Sequence, residues 1–273
     1  MRATQFGQGG SSTPRAQQAL ALLADHPAVR PELTAARAAI DAVLWNRQIR
    51  ARAQEVAQAS VADGARASAA IDGADLVLPD DSPMGRVLDA ALAVTAHAGQ
   101  CERQWATAPL QVLAGMQAQI SRALTSVGDV GEPGRPRVDE AADDPLNLGA
   151  LPPAVQVPQR LALLGRLLAD SSEVPALVLA AVAHGEIQAL RPFTQGSGLI
   201  ARATVRCTLV QRGVDPAMFT IPELGMSMLG RPAYVTALRA FGQGTAEGMS
   251  EYLIWFARAV GLGATVVTAR LDG

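Results

Sequence analysis

Lysine is absent from this sequence: all 23 basic residues are arginine. That removes the lysine of a phosphate-binding P-loop, a Schiff-base lysine and a lysine general base. Cysteine is scarce too. Cys101 and Cys207 stand far apart without CxxC spacing, and His26, His97 and His184 are equally dispersed, so no zinc or haem motif can be written. The two thiols are expected to be idle, buried groups in a reducing compartment. Charge of one sign is lacking. A formal charge of -2, with arginines scattered rather than striped, gives no footprint for nucleic acid. Long apolar runs are also missing: Val174 to Ala183 falls short of the roughly 20 residues that span a bilayer, and Ala19 to Ala24 is too short for a secretory segment. The expectation is a cytoplasmic protein without membrane contact.

What is present is core material, since 49% of the 273 residues are apolar and only 18% are charged. Residues 1–14, polar and rich in Gly and Ser, read as a flexible tail. Beyond it the apolar period is helical almost everywhere, which predicts an all-α fold. Ala36, Ala39, Ile40, Val43 and Leu44 form one stripe, and Ile49, Ala53, Val56 and Ala57 continue in a second helix or a bend of the first. Ser82-Pro83 is a start signal, Pro109 and Pro158 open further stripes, and Ser172 is placed to cap "EVPALVLAAVAHGEIQAL", the helix expected at the centre. Gly213 closes the helix after it, and Pro232 to Phe241 and Ser250 to Val260 complete the set. Trp45, Trp105 and Trp255 are expected in the core or at helix seams. Gly128 to Pro153 breaks the pattern with glycine, proline and acidic residues. It reads as a loop with room for a short hairpin at Arg135 to Val138, and its Asp139, Glu140, Asp143 and Asp144 read as solvated.

Between the central helix and the next stands "RPFTQGSGLIAR", residues 191–202. This order of elements resembles the Fic (Fido) family of nucleotide-dependent transferases, whose signature is H-P-F-x-(D/E)-G-N-G-R-x-x-R. Pro192, Phe193, Gly196, Gly198 and Arg202 match it, and "AHGEIQALRPF" is similar to the family's approach to the motif. "GEPGRPRV" with "GALPPAV" resembles the family's flap and its exit, and "PAYVTALRAF" with "YLIWFARAV" its closing helices. Ser68-Ala69-Ala70-Ile71-Asp72-Gly73 is similar to the inhibitory motif (S/T)-x-x-x-(E/D)-(G/N). The resemblance implies a Fic-type helical bundle with a short flap hairpin or loop. Its expected divisions are a helical region over 15–67, a Fic-like domain over 68–260 that includes the inhibitory-type helix, and a tail over 261–273.

The family passes AMP from ATP to a protein hydroxyl, with the histidine as general base and the acidic residue on Mg2+. Here Arg191 stands at the base position, and a guanidinium stays protonated at any working pH. Gln195 replaces the metal ligand and brings no charge, so Mg2+ is doubtful; Ser197 and Leu199 replace the asparagine and the first arginine. The expectation is a retained fold without the family's AMP transfer. An anion site built from Gly196, Ser197, Gly198, Arg202 and Arg191 remains open for ATP or another nucleotide. The alternative is a plain turn with both arginines paired to local carboxylates. The resemblance also implies that Asp72 reaches Arg202, with one methylene less than the family's glutamate; the plain alternative is that Asp72 caps the next turn. His184 reads as a core histidine, and Glu186 as paired with an arginine rather than a substitute base. A protein partner at the flap, an enzyme of altered chemistry, a purely structural module and a homo-oligomer all stay open.

Overall fold

The computed structural model describes residues 12–73, 83–124, 132–170 and 173–270. Among these, thirteen α-helices follow one another without a strand: α1 (Ser12–Ala24), α2 (Arg30–Trp45), α3 (Arg47–Ala51), α4 (Ala53–Ile71), α5 (Pro83–Ala98), α6 (Glu102–Thr107) and α7 (Pro109–Leu124), then α8 (Val157–Asp170), α9 (Ala176–Leu190), α10 (Ser197–Gln211), α11 (Pro222–Met228), α12 (Arg231–Gly242) and α13 (Ala246–Ala269). The hinge after Trp45 has a local cause. The Asn46 side chain accepts from the Gln48 and Ile49 amides and starts a new helix there.

The centre is the antiparallel pair α9 and α10, joined by the 191–196 turn. Eleven of the fifteen residues of α9 and fourteen of the fifteen of α10 are buried, so both are enclosed on nearly every side; α9 is apolar almost all round, whereas α10 carries buried Arg202 and Arg206. Against this pair pack α5, α6 and α8 on one part of the circumference and α12 and α13 on another. The outer closure is α13, which lies along α2, α11 and α12.

Several expectations need correction. Of the tail expected over 261–273, residues 261–269 are the last turns of α13, with Gly263, Ala264 and Val267 buried, and 271–273 lie outside the described residues. Its 24 residues are long and apolar enough to cross a bilayer by length and composition, and Tyr252, Leu253, Phe256 and Val260 are buried inside the protein. The tail expected over 1–14 is helical from Ser12, and its first eleven residues lie outside the described ones. Residues 15–67 are mainly helical, though α4 runs past residue 67 to Ile71 and α2 packs on α13. The central helix starts at Ala176 behind Pro175, and Ser82, Ser172 and residues 125–131 lie outside the described residues. Trp105 and Trp255 are buried, but Trp45 is 72% exposed at the end of α2, with the Arg50 guanidinium 5.9 Å over its ring. The described part of the 128–153 segment is a loop, with no strand at Arg135 to Val138.

Candidate functional site

The turn between α9 and α10 is a tight backbone reversal. Arg191 ends α9 in the left-handed region at φ 43°, and Gly196 opens α10 at φ 78°. A β-carbon at Gly196 would also stand 2.7 Å from the Ile120 side chain, so only glycine serves there. Ser197 folds back, its hydroxyl accepting from the Phe193 amide and donating to the Phe193 carbonyl at 3.3 Å. Phe193, Ser197, Gly198 and Leu199 are buried, and Gln195 is half-buried.

The two arginines of the motif point to different partners. Arg191 turns to the 144–150 stretch: it meets Asp144 at 2.8 Å and donates to the carbonyls of Gly149 and Ala150 at 2.7 and 3.0 Å. Arg202, fully buried on α10, donates to Ser68 at 2.7 Å and to Asp72 at 2.6 Å. The pair with Asp72 is therefore single rather than bidentate, as the shorter side chain allows. Asp72 Oδ1 and Arg202 Nη1 are left buried without a hydrogen-bond partner. The Asp72 carboxylate lies against Gly198, where a β-carbon would stand 3.1 Å from Oδ2. Burial alone would lower the Arg202 pKa, but Asp72 and Tyr234 hold it above its ordinary value.

The acidic loop is not simply solvated. Asp143 accepts from the Gly196 amide at 3.0 Å, while its own amide donates to the Thr194 carbonyl at 2.8 Å. Asp144 additionally accepts from the amides of Leu148 and Gly149. Glu140 meets Arg137 and accepts from the Ala154 amide, and Asp139 accepts from the Ala141 amide in an exposed turn. Arg137 fixes the whole segment. Its buried guanidinium donates to the carbonyls of Arg191, Leu190, Asp139 and Pro152, which satisfies two acceptors left over at the end of α9. Two chain carboxylates thus engage the turn, Asp143 at its amide and Asp72 at its arginine.

Desolvation pushes the Asp143 pKa up to about 6, opposed by the Gly196 amide and reinforced by Asp72 and Asp144. A folded-state pKa above the unfolded one means that the native state holds the proton longer, so this group's contribution is lost as pH rises from the normal carboxylate range through about 6. Asp143→Asn keeps an acceptor for the Gly196 amide without the charge. Its thermal midpoint should match the wild type near pH 3.5 and exceed it by a growing margin up to pH 7, within an upper bound of about 3 kcal/mol. A difference independent of pH would mean that Asp143 is not a strained anion.

Behind Arg202 lies a network that the sequence did not single out. The chain's two tyrosines, Tyr234 and Tyr252, both bond to His184. Tyr252 donates to the Ala181 carbonyl at 2.9 Å, so its oxygen accepts from His184 Nδ1–H at 2.6 Å. The bare Nε2 then accepts from the Tyr234 hydroxyl at 2.5 Å, and the Tyr234 oxygen in turn accepts from Gln188 and faces Arg202. Burial, aided by the Arg202 charge, lowers the His184 pKa to about 3, and burial raises that of Tyr234 to about 12. His184 is a neutral core histidine with both nitrogens engaged, as expected. Glu186 pairs with Arg160 at 2.7 Å. Helical spacing from Arg191 back to Gln188 and His184, together with the scarcity of tyrosine, is the only hint of this network in the sequence.

Among solved structures the chain is similar to a Fic family protein from Desulfovibrio desulfuricans G20, at 18% identity over 90% of this chain and 76% of that one, with a TM-score of 0.67. It is also similar to Fic-1 from C. elegans, at 14% identity over 97% and 90% of the two chains, with a TM-score of 0.55. The sequence itself matches no family model and no curated protein. The likeness establishes the Fic-type helical fold.

Proposed function

We propose that this Fic-fold chain does not carry out AMP transfer by the family's chemistry and acts by binding, with its anion turn held shut by its own Asp72 and Asp143. The observation that carries this reading is Arg191 at the position of the general base. Its guanidinium cannot take a proton, and it is already bound to Asp144 and two carbonyls. General-base assistance worth roughly 10²–10⁴ in rate is missing on this account. Gln195 supplies no charge for Mg2+, so any nucleotide is held by backbone amides and Arg202 alone.

The anion ligand, ATP or another phosphate-bearing nucleotide, competes with the two carboxylates. The unpartnered Nη1 of Arg202 beside Gly198 supports a place for it. Both carboxylates must withdraw first. Wild-type protein should transfer no label from radiolabelled ATP and should show little thermal shift with ATP and Mg2+ at millimolar concentration. Asp72→Ala combined with Asp143→Ala, which removes both acceptors from the turn, should unfold at lower temperature and regain stability saturably with ATP, by about 2.7 kcal/mol at one hundred times Kd. Label transfer by the wild type would overturn the loss of activity. No ATP response in the double variant would remove the nucleotide.

A second reading, a protein partner at the 128–153 loop, is favoured by Val138 and Val155. They are 91% and 84% exposed on and just beyond a loop that Arg137 otherwise pins in place. Exposed apolar side chains on a fixed segment suit an extended peptide laid alongside it.

A further inference from the structure

Cys101 and Cys207, separated by 106 residues in the sequence, meet in the interior with their sulfurs 3.4 Å apart. They come from different elements. Cys101 caps the start of α6, and Cys207 sits in the middle of α10. The two helices are already fixed to each other beside the pair, where Trp105 on α6 donates to Thr208 on α10 at 3.2 Å. A disulfide needs about 2.05 Å between the sulfurs, so closing the bond asks for an approach of about 1.4 Å, a matter of side-chain rotation rather than of moving a helix. From this geometry we propose that Cys101 and Cys207 form an oxidative cross-link site, closed by a peroxide and reopened by thiol reductants.

The two thiols have different roles. Cys101 donates to the Ala98 carbonyl at 3.4 Å, which leaves its sulfur to accept from Cys207 S–H. That hydrogen bond favours the Cys101 thiolate, whose pKa is lowered, while burial raises that of Cys207 well above its ordinary value. Access differs in the same sense. Both thiols are buried, but Cys207 is wholly enclosed in α10, whereas Cys101, 3% exposed, lies one layer beneath the corner between α5 and α6, where Gly99, Gln100, Glu102 and Arg103 are all exposed. The Cys101 thiolate attacks a peroxide oxygen, the O–O bond breaks, sulfenic acid forms, and the expelled hydroxide takes up the proton that the Cys101 thiol released and leaves as water. Cys207 sulfur then attacks the Cys101 sulfur, its thiol proton passes to the departing hydroxyl, and a second water leaves. The sum is two thiols and one hydrogen peroxide giving one disulfide and two waters.

The cross-link would tie α10, the helix that carries Gly198 and Arg202, to the α5–α6 corner across a closed span of more than 100 residues. Such a span is expected to raise the thermal midpoint by on the order of 10 °C.

The test uses the full chain, reduced, incubated with hydrogen peroxide and then denatured in an alkylating reagent. Expected are the loss of two hydrogens from the intact mass, no alkylated cysteine, one proteolytic fragment joining Cys101 to Cys207, and a raised midpoint that dithiothreitol returns to the starting value. In Cys207→Ala, a sulfenic-acid trap such as dimedone should label Cys101. Two alkylated thiols after peroxide, or a sulfinic acid on one cysteine with the other still free, would overturn the proposal. Because Cys207→Ala removes a buried group, fragment mapping on the wild type decides the cross-link even if that variant does not fold.

Discussion

Replacing Glu223 with alanine should lower the thermal midpoint by about 10 °C, the equivalent of roughly 3–5 kcal/mol. Glu223 on α11 receives Arg206 of α10 in a two-pronged contact, at 2.7 and 2.8 Å, with both side chains almost wholly buried. Arg206 also donates to the Ser60 hydroxyl and carbonyl on α4, and Ser60 donates to the Thr220 carbonyl. Every group is satisfied, so removing one carboxylate strands a guanidinium in the interior. The paired replacement Arg206→Met with Glu223→Leu removes both charges and should recover most of the loss. If the single and double variants unfold alike, the deficit comes from packing instead.

The same contact bears on the site. Arg202 and Arg206 stand one turn apart on α10, and both hold α4, through Ser68 and Asp72 at one level and Ser60 at the next. The helix that resembles an inhibitory segment is therefore bound into the core rather than laid over it. Opening the turn at Asp72 need not dislodge α4, because Arg206 and Glu223 still anchor it.

The second large effect is geometric. Gly225→Ala should destabilise by about 3 kcal/mol, read as a lowered midpoint in denaturant at unchanged slope. A methyl group at Gly225 would overlap the Ala259 carbonyl and stand 2.7 Å from the Gly263 nitrogen. A methyl at Gly263 would overlap the Ile221 carbonyl from the other side. The obstacles are backbone atoms, which cannot swing away, so α11 and α13 must part and lose the Ile221 amide bond to the Gly263 carbonyl. Gly115→Ala is the control. It lies within α7 with nothing inside 4 Å of the added carbon, and should stabilise by up to about 1 kcal/mol. Equal losses at both glycines would refute the close crossing.

Helix identity was legible wherever one apolar stripe ran for three turns or more, because α2, α5, α7 and α12 bury a single face. The short helices α6 and α11 escaped, being too brief to display a period, although α11 holds Glu223 and Gly225. The end of α13 escaped for another reason. The expected segment stopped at Val260, yet Gly261 and Gly263 beyond it stay helical where neighbouring elements approach closely. Trp45 misled because an aromatic residue carries no label of its side of the helix.

At the site, local sequence determined the chemical identities: an arginine at 191, an uncharged amide at 195, and two glycines, Gly196 and Gly198, that keep the turn tight. It also determined the all-helical class, since the 3.6-residue period is written into the chain itself. Only the tertiary structure decided which charges meet. Arg191 with Asp144, Arg202 with Asp72, Arg206 with Glu223 and Cys101 with Cys207 are all pairings between segments outside one another's helical turn. Burial then turned those pairings into constraints, because a charge or thiol removed from water depends on whichever group the fold has brought within reach.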